Sequence, residues 1–181
     1  MKEIFSLINA AKNLVRTGWM LKGVPPAIGE TVSQHSWEAA IISLIVSSKL
    51  REKGLNVNPY KASTIALVHD LIEGKTGDIP RYSSIILGSR KDKLEKTALT
   101  ETGLDNAIEK LLIEWFEQKT FESKIAKFSD LLSTYIQAKR YIDNCYKDVK
   151  EIADSSLAEA KKIANSIPGL NDVLNEILSW L

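Results

Sequence analysis

The stretch IALVHDLIEG, residues 65–74, constrains this chain more than any other. Its residues are apolar nearly all round, and at helical length that reads as a buried helix. Yet His69 and Asp70 stand side by side in its middle, with Glu73 one turn on. An unpaired charge is strongly unfavourable in such a place, so a structural or chemical partner must compensate it. On a helix advancing about 100° per residue, the three polar residues project to one side. The preceding turns of that side carry Ala62 and Ala66, small enough for another helix, or a ligand, to approach closely.

Around this stretch the apolar periodicity is helical almost throughout, with no convincing alternating strand, which predicts an all-α chain. A first helix is expected over residues 2–15. A loop rich in breakers follows, with Gly18, Gly23, Pro25, Pro26 and Gly29. The Thr-Val-Ser-Gln of residues 31–34 is a capping box opening a helix from Val32 to Lys53, and Gly54 stops it. Asn58 and Pro59 cap the next helix, expected to run to Gly74. GKTGDIPRYSSIILGS, residues 74–89, reads as an ordered loop. Helices are expected over 90–102 and 104–119, then from Phe121 to Asn144, then through DSSLAEAKKIANSI to Pro168-Gly169. A short terminal helix, NDVLNEILSWL, ends the sequence. With no repeat, low-complexity tract or linker, residues 1–181 are expected to form a single domain.

Composition narrows the function classes. The 24 basic and 23 acidic side chains balance to a net charge of +1, which gives no electrostatic reason to expect a nucleic-acid polymer or an acidic membrane as partner. Cys145 is the one cysteine, so an intrachain disulfide and a cysteine-rich metal site are both excluded. The segment MKEIFSLINAAKNLVRTGW fits an amphipathic helix better than a secretory signal. No apolar run approaches the roughly 20 residues of a membrane span. A cytoplasmic enzyme or binding protein is the expectation.

The remaining candidate partners for His69 and Asp70 are few. The other histidine, His35, enters the second strongly apolar helix in HSWEAAIISLIV. Asp130 lies among apolar neighbours in KIAKFSDLLSTYIQAKRYI, beside a stripe of Ala126, Lys127, Ser133 and Thr134. Each residue has a plainer reading. A histidine on an apolar helix is more often a satisfied core residue than a ligand, and Asp130 could face solvent or pair with Lys127.

Taken together, the pattern H…HD…D on three helices resembles the HD superfamily of metal-dependent phosphohydrolases. The segments RTGW, VSQHS, HDLIEGKTGDIP and KFSDLLSTYIQAKRY, in that order between about residues 14 and 142, narrow the resemblance. They look like the 5′-deoxynucleotidases of the YfbR type and the related eukaryotic HD domain-containing proteins. The resemblance implies an all-α HD-domain helical bundle with a metal site between three helices. His35, His69, Asp70 and Asp130 would hold one divalent cation. Mixed nitrogen and oxygen ligation without thiolate suits Mn, Co, Fe, Ni or Mg better than a closed structural zinc site. Glu73 matches the family glutamate that positions or deprotonates the attacking water. Asp78, in TGD, matches a residue at the sugar end of the substrate. Trp19 matches an aromatic of the nucleoside pocket, its plainer reading being a core tryptophan. Arg16 would be the phosphate clamp. The bacterial pattern has the arginine directly before the tryptophan, where this chain has Gly18; Arg-Thr-Gly-Trp is the eukaryotic form.

The implied activity is hydrolysis of deoxynucleoside 5′-monophosphates, a small-molecule nucleotide substrate, by a protein that is a homodimer in the family. Two rivals keep the residues and change the role. One is an HD phosphohydrolase acting on another small phosphate ester or nucleotide. The other is a non-catalytic, metal-stabilised nucleotide-binding or scaffold protein. Triphosphate hydrolases and two-metal phosphodiesterases of the superfamily use additional histidines, which this chain lacks.

Overall fold

Helix signals written into short stretches set most of the architecture, which a computed structural model describes for residues 2–181. The chain runs through α1 (Lys2–Asn13), α2 (Thr17–Leu21), α3 (Val32–Glu52), α4 (Pro59–Val68), α5 (Glu73–Thr76) and α6 (Arg81–Leu87). It continues through α7 (Ser89–Thr102), α8 (Asn106–Glu117), α9 (Phe121–Asp143), a 3₁₀ turn (Lys147–Val149), α10 (Lys150–Ala164) and α11 (Leu170–Leu178). Among the described residues there is no strand, and the fold is all-α as the periodicity predicts.

The caps form as expected. Thr31 Oγ1 accepts from the Gln34 amide at 3.3 Å while Gln34 Oε1 accepts from the Thr31 amide at 2.8 Å, satisfying two of the donors a helix start leaves unpaired. Asn58 Oδ1 accepts from the amides of Tyr60 and Lys61 at 3.1 and 3.2 Å.

Three helices, α3, α4 and α9, pack against one another at the centre. Small residues make the close approach: Ala39 and Ala40 of α3, Ala66 of α4 and Ala126 of α9 are buried around Ile65. Ala62 is also fully buried, so the small-residue side of the HD helix serves helix packing. A larger apolar cluster, built on Leu50, Phe128, Leu132, Leu170 and Leu174, binds α10 and α11 to α3 and α9.

Three expectations are corrected. The helix capped by Asn58 ends at Val68, not Gly74; residues 69–72 are a turn and α5 follows. The stretch 74–89, expected as a loop, contains α6. Pro80, with φ −65° and ψ 153°, precedes that helix, and a proline fixes its entry. The first helix also stops two residues early, because Val15 pairs with Thr31 in an isolated antiparallel bridge. The Arg16 amide donates to Glu30 O at 2.9 Å and the Val32 amide to Leu14 O at 2.9 Å.

Gly74 marks a close approach. A Cβ there would stand 2.9 Å from Leu7 O and 3.1 Å from Leu7 Cα, both backbone atoms of α1. Gly74→Ala should destabilise the protein by about 1–3 kcal/mol, since α1 must move as a unit to admit a methyl group. A urea unfolding curve checks this, and an unchanged midpoint would refute the approach.

Candidate metal centre

The site is built where α4 ends. Beyond Val68 the amides of Leu71, Glu73 and Gly74 bond three residues back, to the carbonyls of Val68, Asp70 and Leu71. Residues three apart eclipse in such a turn, so Asp70 and Glu73 fall on one side. His69 stays in helical conformation as the cap, and its Nδ1 donates to Ala66 O at 2.7 Å. A carbonyl can only accept, so the hydrogen of the neutral ring belongs on Nδ1 and the Nε2 lone pair faces inward. Nε2 is buried and, although Asp70 Oδ2 stands 3.1 Å away, it makes no hydrogen bond.

His35, in the first turn of α3, and Asp130, midway along α9, meet it. Asp130 Oδ1 lies 2.9 Å from His35 Nε2 and 3.7 Å from His69 Nε2. One ligand atom from each of His35, His69 and Asp130 falls within 4.8 Å of the other two. Asp70 Oδ2 flanks the cluster, 3.9 Å from His35 Nε2. The other oxygen of Asp130, Oδ2, accepts from Lys127 Nζ at 2.7 Å. The ion pair and the inward-facing oxygen are thus two ends of one carboxylate.

The Val15–Thr31 bridge delivers a second layer. It sets Arg16 beside Glu30, whose carboxylates and guanidinium approach to 3.5 Å. Arg16 NH1 also lies 3.1 Å from His35 Nδ1 and donates to Thr134 Oγ1 at 3.2 Å. Trp19 is buried: its Nε1 donates to Glu30 Oε2 at 2.9 Å and its ring meets Tyr141 edge-on at 5.2 Å. Asp78 accepts from the Thr17 amide, and Thr17 Oγ1 donates to Asp78 O at 3.1 Å. That contact ties the start of α2, which carries Trp19 and is capped by Arg16, to the segment after α5. Glu73, the first residue of α5, is buried with Oε2 unpartnered.

Charge balance follows from this crowding. Burial alone would lower the His69 pKa, but the Asp70 charge and the nearby Asp130 carboxylate outweigh it and push it up to about 10. Asp70 moves down: burial opposes its ionisation, and His69 overcomes that. Asp130 falls well below the usual carboxylate range, because Lys127 and both imidazoles outweigh burial. Burial, then the charges of Asp70 and Asp78, raise Glu73 well above its ordinary value. The cluster opens on a cavity of about 510 Å³ whose wall includes Arg16, Trp19, Asp70, Glu73, Asp78 and Asp130. Every candidate ligand, catalytic or substrate residue named from the sequence except His35 reaches that wall; His35 lies fully buried behind Asp130.

The family model for an HD domain matches residues 8–171. The chain belongs to the HD-domain family. This HD protein is 31% identical over 147 residues to a Dictyostelium discoideum protein named 5′-deoxynucleotidase HDDC2, covering 77% of this chain and 76% of that one. It is 29% identical to 5′-deoxynucleotidase YfbR of Escherichia coli O1:K1, over 80% of this chain and 65% of that one. Among solved structures, a conserved hypothetical protein from Pyrococcus furiosus superposes with a TM-score of 0.83 at 29% identity, covering 99% and 97% of the two chains.

The HD centre passes a chemical test for a cation. A buried imidazole nitrogen with no hydrogen-bond partner, two imidazoles and inward-facing carboxylate oxygens form an N/O donor set, which suits a divalent ion. In the HD family this cluster reads as a divalent-metal site. Sequence reasoning did not single out Glu30 or Trp115 of α8. Glu30 was hidden in the breaker-rich loop, and Trp115, whose ring centroid lies 4.6 Å from that of His69, sat in an ordinary amphipathic pattern.

Without a cation, the proton on His69 does the compensating. A pKa raised from 6.5 to about 10 gives stability that is complete below 6.5 and lost as pH rises through 10. The chelated protein should therefore lose on the order of 5 °C in melting temperature between pH 7 and 10. Added Mn²⁺ should flatten that slope, as it takes over the proton's place. Thermal melts across this pH range, with and without metal, check both.

Proposed function

We propose that this protein is a metal-dependent phosphomonoesterase that hydrolyses deoxynucleoside 5′-monophosphates to deoxynucleoside and phosphate, with residues 1–181 as one HD domain. The observation that carries the reading is the pairing of an inward, unbonded His69 Nε2 with an unpartnered, buried Glu73 Oε2 on one cavity wall. A purely structural metal site needs no carboxylic acid outside its ligand shell. The names of the relatives, 5′-deoxynucleotidases in every case quoted, supply the substrate class. A cavity of about 510 Å³ lies within the range that small ligands occupy.

His35, His69, Asp70 and Asp130 would hold the cation, with Mn, Co, Fe, Ni or Mg suited to their nitrogen and oxygen atoms. When bound, the cation supplies Lewis acidity, withdrawing charge from the phosphoryl group and making a water more acidic. Glu73 handles the proton. Burial and the charges of Asp70 and Asp78 raise its carboxyl pKa well above the ordinary value in the metal-free protein, and added positive charge alongside favours the ionised form. Oε2 then takes a proton from the attacking water and returns it to the departing 5′-oxygen.

Arg16 holds the charge around the substrate phosphate, although its present bonds run to His35, Thr134 and Glu30. Trp19 and Asp78 shape the sugar end, Trp19 through a ring fixed by Glu30 and Tyr141, Asp78 through the loop it ties to Thr17. A fixed wall of this kind discriminates by shape against a ribose 2′-hydroxyl. Among the described residues no helix is long and apolar enough to cross a membrane, and the proposed setting is the cytoplasm. A homodimer is also proposed; exposed Trp37, Ile41 and Ile45, spaced four residues apart along α3, offer an apolar face.

Phosphate release from deoxy- and ribonucleoside monophosphates with added Mn²⁺ or Co²⁺ tests the reading. Deoxy substrates should be preferred, and Glu73→Gln should lower turnover by about 10²-fold or more while the protein still binds metal. Release only from other phosphate esters would move the substrate class. No release from any compound, with metal demonstrably bound, would leave a metal-stabilised scaffold.

A further inference from the structure

Four lysine and arginine side chains line the cavity: Arg16, Arg81, Lys91 and Lys127. Three are committed to partners away from the cation cluster or to several at once. Arg81 bonds Glu159 across the cavity wall. Lys91 bonds Glu95 one turn along α7, at 2.5 Å. Arg16 divides its guanidinium among Glu30, His35 and Thr134. Lys127 differs. Its side chain is 38% exposed, and its hydrogen bond goes to Asp130 Oδ2. The ammonium also lies 5.0 Å from the centre of the Trp115 ring, the ring that backs His69.

We propose that Lys127 is a phosphate-binding residue of this site, its ammonium held by Asp130 and Trp115 beside the place the substrate's phosphoryl oxygens take. The inference rests on the reading of the cavity as a phosphomonoester site. Asp130 turns Oδ1 to the imidazoles and Oδ2 to Lys127, so a cation engaging Asp130 draws down the negative charge that Lys127 now answers. An ammonium has three donors, and Asp130 uses one. The other two are free for phosphoryl oxygens, which would lie against the same cation. The cation–π contact with Trp115 keeps the flexible stem from swinging into solvent.

This role carries a sign that a positioning role does not. If Lys127 merely held the Asp130 rotamer, removing it would weaken metal binding and leave phosphate binding to the loaded protein alone. As a phosphate-binding cation, it repels the metal and attracts the anion. Calorimetric titration of Lys127→Met with Mn²⁺, and then of the Mn²⁺-loaded protein with inorganic phosphate, separates the two.

The expected result is Mn²⁺ affinity equal to or tighter than that of the unaltered protein. Phosphate affinity should be weaker by about tenfold or more, KM should rise, and Lys127→Arg should largely restore the anion. If Lys127→Met does not fold, Lys127→Gln is read in the same way. Equal phosphate affinity in the unaltered and variant proteins, or a loss confined to Mn²⁺, would overturn the role of Lys127 alone. Failure of the unaltered Mn²⁺-loaded protein to bind phosphate would overturn the cavity reading and this inference with it.

Discussion

The 2.7 Å hydrogen bond from His69 Nδ1 to Ala66 O determines which ring nitrogen meets the cavity, and the rest of the centre is arranged around that choice. Had the ring been free to use Nδ1 inward, its Nε2 would have needed a partner elsewhere. The bond exists because α4 ends within a turn of His69, which leaves the Ala66 carbonyl without a full helical partner set. A helix end here converts an unpaired carbonyl into the orienter of an imidazole. The same ending tightens the turn that stacks Asp70 and Glu73.

Three carboxylates then share one buried neighbourhood, and their environments separate them. Asp70 and Asp130 face imidazoles and a lysine and are shifted down, whereas burial and like charges shift Glu73 well above its ordinary value. Two residues thereby favour the charged form and the third is suited to proton transfer, a division that follows from placement because the functional groups are alike. Glu30 extends the pattern outward, bonding both Arg16 and Trp19. One buried carboxylate therefore braces the cationic and aromatic parts of the wall together.

Much of this was legible in the sequence because it depended on short-range chemistry. The capping box at Thr31 and the Asn58-Pro59 start are local signals, and both helices begin where those residues place them. His35, His69 and Asp130 stood out because polar residues on apolar helices are rare enough to demand partners, and the fold brings them together. Positions that depend on distant partners were not legible. The end of α4 at Val68 and the formation of α6 both lie in a stretch where apolar and turn residues alternate. Trp115 carried no signal until α8 was laid against His69. The sequence posed a salt bridge with Lys127 as an alternative to ligation by Asp130. The structure shows that the alternatives are compatible, since the carboxylate has two oxygens and uses them in different directions.

The contact between α1 and Gly74 reaches further than packing. Leu7's backbone lies against the residue that follows Glu73 in the chain, so the opening helix acts as a strut behind the acid of the centre. Among the described residues, no side chain of α1 lines the cavity. A perturbation of α1 would therefore leave the imidazoles and aspartates in register while letting the glutamate drift. Such a protein would still load its ion, yet be a poor catalyst: a lesion at the start of the chain would look from outside like damage to the proton-carrying group itself.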